Sequence, residues 1–470
     1  MNLKKIRFTL FIVCCFHAMA GQVLLSSHHL DLKRPREYQE ILAAAEAKNR
    51  ALVVYAADKN TVTALRYTRA LFYKDSLAAP RPTGDYTFMA GYSYAGNGSP
   101  QVYWASEDYK KILAVQYDFD TRNVTDYSFE MPFNNELILA SFSQDNAFYI
   151  VTLHHTADKL KLYIFNDDKY VARTIDFSAY PFTDANNAKT TLNSLLLRYP
   201  LQKIEGTGFN ALPGTGSKLK LYVAQGSIVL TLDNNPAFTQ LFTITTATWA
   251  LSQKTVPQPP LHGTAKTNSF YHREKLYQLA VNDEELALCA TEPATGIVLQ
   301  TYTATTNDTI AFKNSPLLLQ TGSQRGSEIK NTRRFLRRAA TGNAALSVYR
   351  TPNDLMVIAG AIRNIVPAGE AILGAALTGT IISGDELADY MPDPENIQSV
   401  YFESLFDDNF KHKALPQQRL AVDYISQFMG SNNNISLETV IPFDYYYLLG
   451  YYDARAKQYI LLKFEDDRAY

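Results

Sequence analysis

From residue 51 onward, short runs of β-branched and aromatic residues alternate with clusters of Asp, Asn, Gly and Pro. Residues 52–56 and 62–67 flank Asp58-Lys59-Asn60, and runs at 101–105, 112–117 and 124–129 follow. The runs at 148–153, 160–165 and 171–177 repeat the arrangement, with turns at Ala157-Asp158-Lys159 and Asn166-Asp167-Asp168. Side chains that crowd a helix but sit well on a pleated surface, bounded by residues that favour tight turns, predict strands joined as hairpins. Two such hairpins per unit predict four-stranded sheets.

A strand, a turn built on an acidic residue and a second strand recur around Asp120, Asp167, Asp233 and Glu292, at intervals of 47, 66 and 59 residues. These intervals match or exceed the ~40–50 residues of one propeller blade, as blades with loop insertions would. The predicted fold is therefore all-β, a β-propeller of about six or seven irregular blades. Thr295-Gly296-Ile297-Val298-Leu299 resembles the blade-closing turn of quinoprotein-type β-propellers, although Gln300 and Thr301 stand where that turn ends in Trp. The chain as a whole resembles uncharacterised exported bacterial propeller proteins. The resemblance implies the fold; it implies no quinone cofactor and no particular activity.

Two stretches break the strand pattern. Pro35 followed by helix formers predicts a helix at 36–48. At 417–429, Leu420, Tyr424, Ile425 and Phe428 line one face before Gly430, which predicts an amphipathic helix. Further on, apolar runs at 355–366 and 371–383, joined by Pro367-Ala368-Gly369, read as a long buried hairpin. The chain finishes on a hairpin of 445–452 and 458–464 turning at Asp453-Ala454-Arg455. So apolar a terminal strand is an aggregation hazard if unpaired. It is expected to close a ring by pairing with early strands around residues 52–67.

The start of the chain changes the picture of location. Lys4, Lys5 and Arg7, an apolar run at 8–16, and Ala18-Met19-Ala20 have the order of a cleavable export signal, with Gly21 as the first mature residue. The expected organisation is a signal at 1–20, an N-terminal helical segment at 21–50 and a propeller-like domain at 51–470, in an extracytoplasmic protein with no membrane span after signal removal. Signal removal takes away three cations and no acid, so the net charge of −1 becomes −4. That balance argues against nucleic acid as a partner. Cys14 and Cys15 leave with the signal; Cys289, in an apolar strand-like run, reads as a small buried hydrophobe.

Catalytic motifs are weak throughout. Gly91-Tyr92-Ser93-Tyr94-Ala95 echoes a nucleophile elbow, but a loop follows where that motif needs a helix. His154 and His155 alternate to opposite faces of a strand, His28 and His29 lack ligand partners, and Asp118, Asp120 and Asp126 lack the Gly and Glu of a calcium loop, so no metal site is expected. No cofactor is implied. Two charge clusters remain, a basic one at Arg333, Arg334, Arg337 and Arg338, with Arg325 and Lys330 upstream, and an acidic one at Asp385, Glu386, Asp389, Asp393 and Glu395. Both read as solvated loops, and the basic one is the candidate ligand-binding site, for an anionic glycan or a protein partner. The expected function is a non-catalytic binding or structural scaffold for a glycan or protein ligand. The alternative is a propeller glycoside hydrolase using paired carboxylates, with Glu403 and Asp407, beside Asp408, as the candidates.

Overall fold

In the computed structural model, which describes residues 22–467 except 48, 207, 225, 323 and 365–395, the apolar runs are strands in small, mostly antiparallel sheets. The expected signal at 1–20, the apolar run 371–383 and the acidic cluster 385–395 lie outside the described residues. The chain forms two compact units, Met1–Phe129 with Gln418–Tyr470, and Glu130–Gln417.

The first unit holds three four-stranded sheets. One is Glu40–Ala45, Leu52–Ala57, Thr61–Tyr67 and Tyr73–Pro80; another is Phe88–Tyr94, Pro100–Ala105, Lys111–Asp118 and Asn123–Glu130. The third, the terminal sheet, joins Ile435–Phe443, Tyr446–Asp453 and Gln458–Glu465 to Gln22–His29. In the second unit, Glu136–Gln144, Ala147–His154, Lys159–Asn166 and Lys169–Asp176 form one sheet, and Lys266–His272, Lys275–Val281, Glu285–Glu292 and Ile297–Thr305 another. Between them in sequence lies a five-stranded sheet, in which Leu201–Ile204 runs parallel to Leu219–Ala224 and Ser227–Leu232, Phe238–Thr245 and Ala250–Pro257 follow. The last sheet places Leu355–Asn364 between Asn343–Arg350 and Ile397–Phe406, with Leu318–Thr321 and Ser327–Glu328 beyond. Four strands in up-and-down order are the blade unit of a propeller, and the fold class is an all-β propeller.

Burial explains the sequence texture. Leu52–Ala57 and Pro100–Ala105 are buried at every position, so they read as continuous apolar runs, whereas the edge strand Asn123–Glu130 is largely exposed and polar. Each core cluster is shared by neighbouring sheets. Val53, Tyr55 and Val62 pack with Val102, Trp104 and Val115 in the first unit, and Leu160 and Leu162 with Leu230 and Phe242 in the second.

Three expectations are corrected. Residues 36–48 are not a helix: Arg36–Tyr38 makes one 3-10 turn and Glu40–Ala45 is a strand, registered from Glu40 opposite Ala57 to Ala45 opposite Leu52. Helix propensities differ by only tenths of a kcal/mol per residue, and six ladder positions beside a fully buried strand outweigh them. The closing strand does not pair with residues 52–67. Its partner is Gln22–His29, with Gln22 opposite Phe464 and His29 opposite Gln458, because 52–67 already has neighbours on both sides. The basic cluster is a helix rather than a loop. The helix expected at 417–429 is present as Ala421–Ser431.

Inside the second unit, Asp233 joins two sheets. Its carboxylate accepts from Lys220 Nζ at 3.0 Å, Thr239 Oγ1 at 2.7 Å, and Ser269 N and Oγ at 2.9 and 2.8 Å. Both Asp233 and Lys220 have fully buried side chains. Burial pushes the Asp233 carboxyl up, but Lys220 and the hydroxyl of Thr239 outweigh it and hold the group below its ordinary range. Gln258 and Gln278 extend the network through Thr239 Oγ1, and Cys289 Sγ lies 3.7 Å from Gln278 Oε1. Cys289 is the buried hydrophobe expected, its thiol pushed up to about 12 by burial. His272, at the end of Lys266–His272, has a buried Nε2 without a partner among the described residues, and burial, reinforced by Arg273 and Arg350, pulls its imidazole down to about 4.

Two outcomes are expected. Asp233→Ala strands a buried ammonium and lowers unfolding free energy by about 3–5 kcal/mol, while pairing it with Lys220→Met recovers part of the loss in urea titrations. His272 binds a proton in the unfolded chain near 6.5 but in the folded chain only near 4, so its contribution is complete above 6.5 and is lost as pH falls toward 4. Comparing wild type with His272→Gln by thermal unfolding between pH 7 and 4.5 should show a flatter decline in the variant, by on the order of 2 kcal/mol.

Candidate ligand-binding site

The helix carrying the basic cluster is Thr332–Ala340, here α1. Asn331 caps it, its Oδ1 accepting from Arg334 N at 3.0 Å. Thr332, Phe335, Leu336 and Ala339 are buried, and that 3- and 4-residue spacing was the sequence signal for an amphipathic helix. The four arginines fall on the exposed side but do not act as one patch. Arg333 and Arg337, one turn apart, line a hollow of about 590 Å³, and Arg338 borders a separate crevice with Gly342 and Arg363. Arg334 is exposed and lines neither.

The residues facing Arg333 and Arg337 were missed in the sequence. Asn282 Oδ1 accepts from the amides of Glu284 and Glu285 at 3.0 and 2.8 Å, a local turn that presents Asp283, Glu284 and Glu285 to the hollow. Asn282 Nδ2 also donates to His262 O at 2.8 Å, which brings His262 Nδ1 within 3.0 Å of Glu285 Oε1. Thr305, Thr306 and Asn307 complete the lining. Hydrogen bonds from the Thr305 hydroxyl and amide to Asp308 fix this turn and hold the Asp308 carboxyl below its ordinary value. Asn307 Oδ1 accepts from Arg333 Nη2 at 3.1 Å. Among the described residues no ion pair within 4 Å joins Arg333 or Arg337 to the acidic wall. The hollow thus carries charges of both signs that are not paired with one another.

The candidate carboxylates lie elsewhere. Glu403, in Ile397–Phe406, is half-buried; its amide donates to Ser315 Oγ at 2.9 Å and its Oε2 accepts from Gln417 Nε2 at 2.8 Å. Asp407 Oδ1 accepts from the amides of Asn409 and Lys411 at 2.9 and 2.8 Å, which makes it a turn former, and Asp408 pairs with Arg350. Ser93 is fully buried on a strand, 2.9 Å from Gln101 Oε1 and 2.8 Å from the Tyr103 hydroxyl, which is no setting for a nucleophile. His28 stacks on Tyr73 at 4.0 Å, and His154 Nδ1 accepts from Thr156 N. Among the described residues no group of three or more His, Cys, Asp or Glu is placed to hold a metal ion.

No family model matches the sequence, and no curated protein does. Solved structures with a similar fold include Hsv2 of Kluyveromyces lactis, at 8% identity over 92% of this chain and 99% of that one, TM-score 0.31. The Dos1 propeller matches at 9% identity over 89% and 76%, TM-score 0.29. A putative exported protein of Bacteroides fragilis matches at 11% identity over 83% and 96%, TM-score 0.27. At these values the fold assignment rests on the sheet topology of the chain itself.

Proposed function

We propose that the protein is an exported binding scaffold, and that the hollow beside α1 holds a polypeptide segment carrying both acidic and basic side chains. The supporting observation is that Arg333 and Arg337 line one hollow with Asp283, Glu284 and Glu285 without direct pairing. An anionic glycan, which four arginines in a loop would have suited, is disfavoured here by the three carboxylates on the facing wall. A segment with both charges satisfies each wall. Thr305, Thr306 and Asn307 add neutral donors and acceptors for its backbone. Export is supported by the order of basic, apolar and small residues at 1–20.

Two measurements test this reading. Sequencing of protein recovered outside the cytoplasm should begin at Gly21; retention of residues 1–20 in membranes would overturn the export assignment. Fluorescence titration against peptides of mixed Lys/Glu, all-Glu and all-Lys composition should favour the mixed peptide. Reversing two rim charges in Arg333→Glu/Arg337→Glu should weaken it by roughly 5–10-fold at low salt, since exposed pairs contribute up to about 1 kcal/mol each. Equal affinity for all three peptides, or none for any, would remove the hollow as a peptide site.

A further inference from the structure

A second hollow, of about 560 Å³, lies in the first unit and involves none of the α1 residues. The pairing of the chain's two ends creates it. Leu30 N donates to Lys457 O at 2.9 Å immediately after His29 pairs with Gln458, so the segment leaving Gln22–His29 runs beside the turn that precedes Gln458–Glu465. Gln39 Nε2 donates to the carbonyls of Leu32 and Lys33 at 3.1 and 3.2 Å, and Lys33 N donates to Asp58 Oδ2 at 3.1 Å. In the turn that precedes Gln458–Glu465, Arg455 N is held by Asp453 Oδ1 at 2.9 Å. The backbone of both segments is thus anchored.

Those side chains are mostly of one sign. Lys33, Arg34, Arg36, Arg455 and Lys457 line the hollow against a single acid, Asp31, which pairs with Lys457 at 2.9 Å. The other four cations have no ion-pair partner among the described residues. In a chain of net charge −1 this is a local excess, and like charges gathered without counterions repel one another. Asn433, Asn434 and Ser436 supply a neutral wall of amides and a hydroxyl. The volume falls within the ~300–1,000 Å³ common for small-ligand pockets.

We propose that this hollow binds an anionic oligosaccharide, one whose sugars carry carboxylate or sulfate groups. The cations come from two separate segments, which suits several anionic groups along one ligand better than a single phosphate. The amide and hydroxyl wall matches sugar hydroxyls. Because both chain ends build the site, the ligand binds the closed terminal sheet and not the unfolded chain, so binding also raises the melting temperature.

The test uses the full mature protein in calorimetric titrations at 0.15 M salt with four probes: oligogalacturonate, a sulfated hexasaccharide, a neutral hexasaccharide and inorganic phosphate. At least one charged sugar should bind and raise the melting temperature, while the neutral sugar and phosphate should bind at least tenfold more weakly. Arg34→Glu/Arg36→Glu/Arg455→Glu should weaken the charged sugar 30-fold or more, whereas Arg333→Glu/Arg337→Glu should leave it unchanged. Should the triple variant misfold by circular dichroism, Arg455→Gln alone, in an exposed turn, must still weaken binding measurably. Unchanged affinity in the folded Arg34/Arg36/Arg455 variants, no binding of either charged sugar, or equal binding of phosphate or the neutral sugar would overturn the proposal. Loss of peptide binding by the Arg333/Arg337 variant bears on the α1 hollow alone.

Discussion

A sheet of four short strands whose central strands are apolar on both faces cannot stand alone in water. Leu52–Ala57 and Pro100–Ala105 have no solvated face, so each sheet needs a second apolar layer against it. Neighbouring sheets supply that layer, and the cores of both units are shared between sheets rather than enclosed within one. The same constraint reaches the chain ends. Ile435–Phe443, Tyr446–Asp453 and Gln458–Glu465 would leave an apolar edge strand, and Gln22–His29 covers it through seven register pairs.

Neutral polar atoms such as Trp104 Nε1 and His272 Nε2 are buried without a partner among the described residues, but the buried charge of Asp233 is fully partnered. Four acidic turn positions look alike in sequence, yet Asp120 is exposed and pairs with Arg66, Asp167 occupies a left-handed turn position, and Glu292 accepts from Thr295 in a closing turn. Asp233 alone among them turns inward. What distinguishes it is Ser269 on the neighbouring sheet and Lys220 on its own, which together satisfy a charge that would otherwise be prohibitive to bury. An ion pair of this kind adds little net stability over apolar packing, but each half depends strictly on the other.

With faces and central strands committed to packing, surface chemistry is left to strand ends, turns and the exposed side of α1. Both hollows are assembled this way from segments far apart in sequence. One brings residues 262, 283–285 and 305–307 to α1; the other brings 31–39 to 433–457. Their electrostatics differ in kind: opposed signs unpaired across one, and a nearly uniform positive lining in the other. Each is recognised by which side chains are left without an ion partner, a property that exists only once the others have been paired.

Strand texture, turn residues and hairpin spacing are local, so the all-β class, most strand boundaries and the buried thiol of Cys289 were legible in the sequence alone. The helix at Ala421–Ser431 was legible for the same reason, and the Phe335, Leu336 and Ala339 spacing carried α1 although a run of arginines masked it. Tertiary structure decided the rest. Glu40–Ala45 became a strand because a buried neighbour offered a ladder stronger than its helix propensity. Gln22–His29, expected within an N-terminal helical segment, became the closing strand because the terminal hairpin had a free edge. Arg333 and Arg337 acquired acidic neighbours, and Arg34 and Arg36 acquired Arg455, from turns more than 40 residues away. Local sequence encodes backbone preference and which residues seek burial; it does not encode which distant charges will face one another, because that depends on sheet pairing and packing across the whole of each unit.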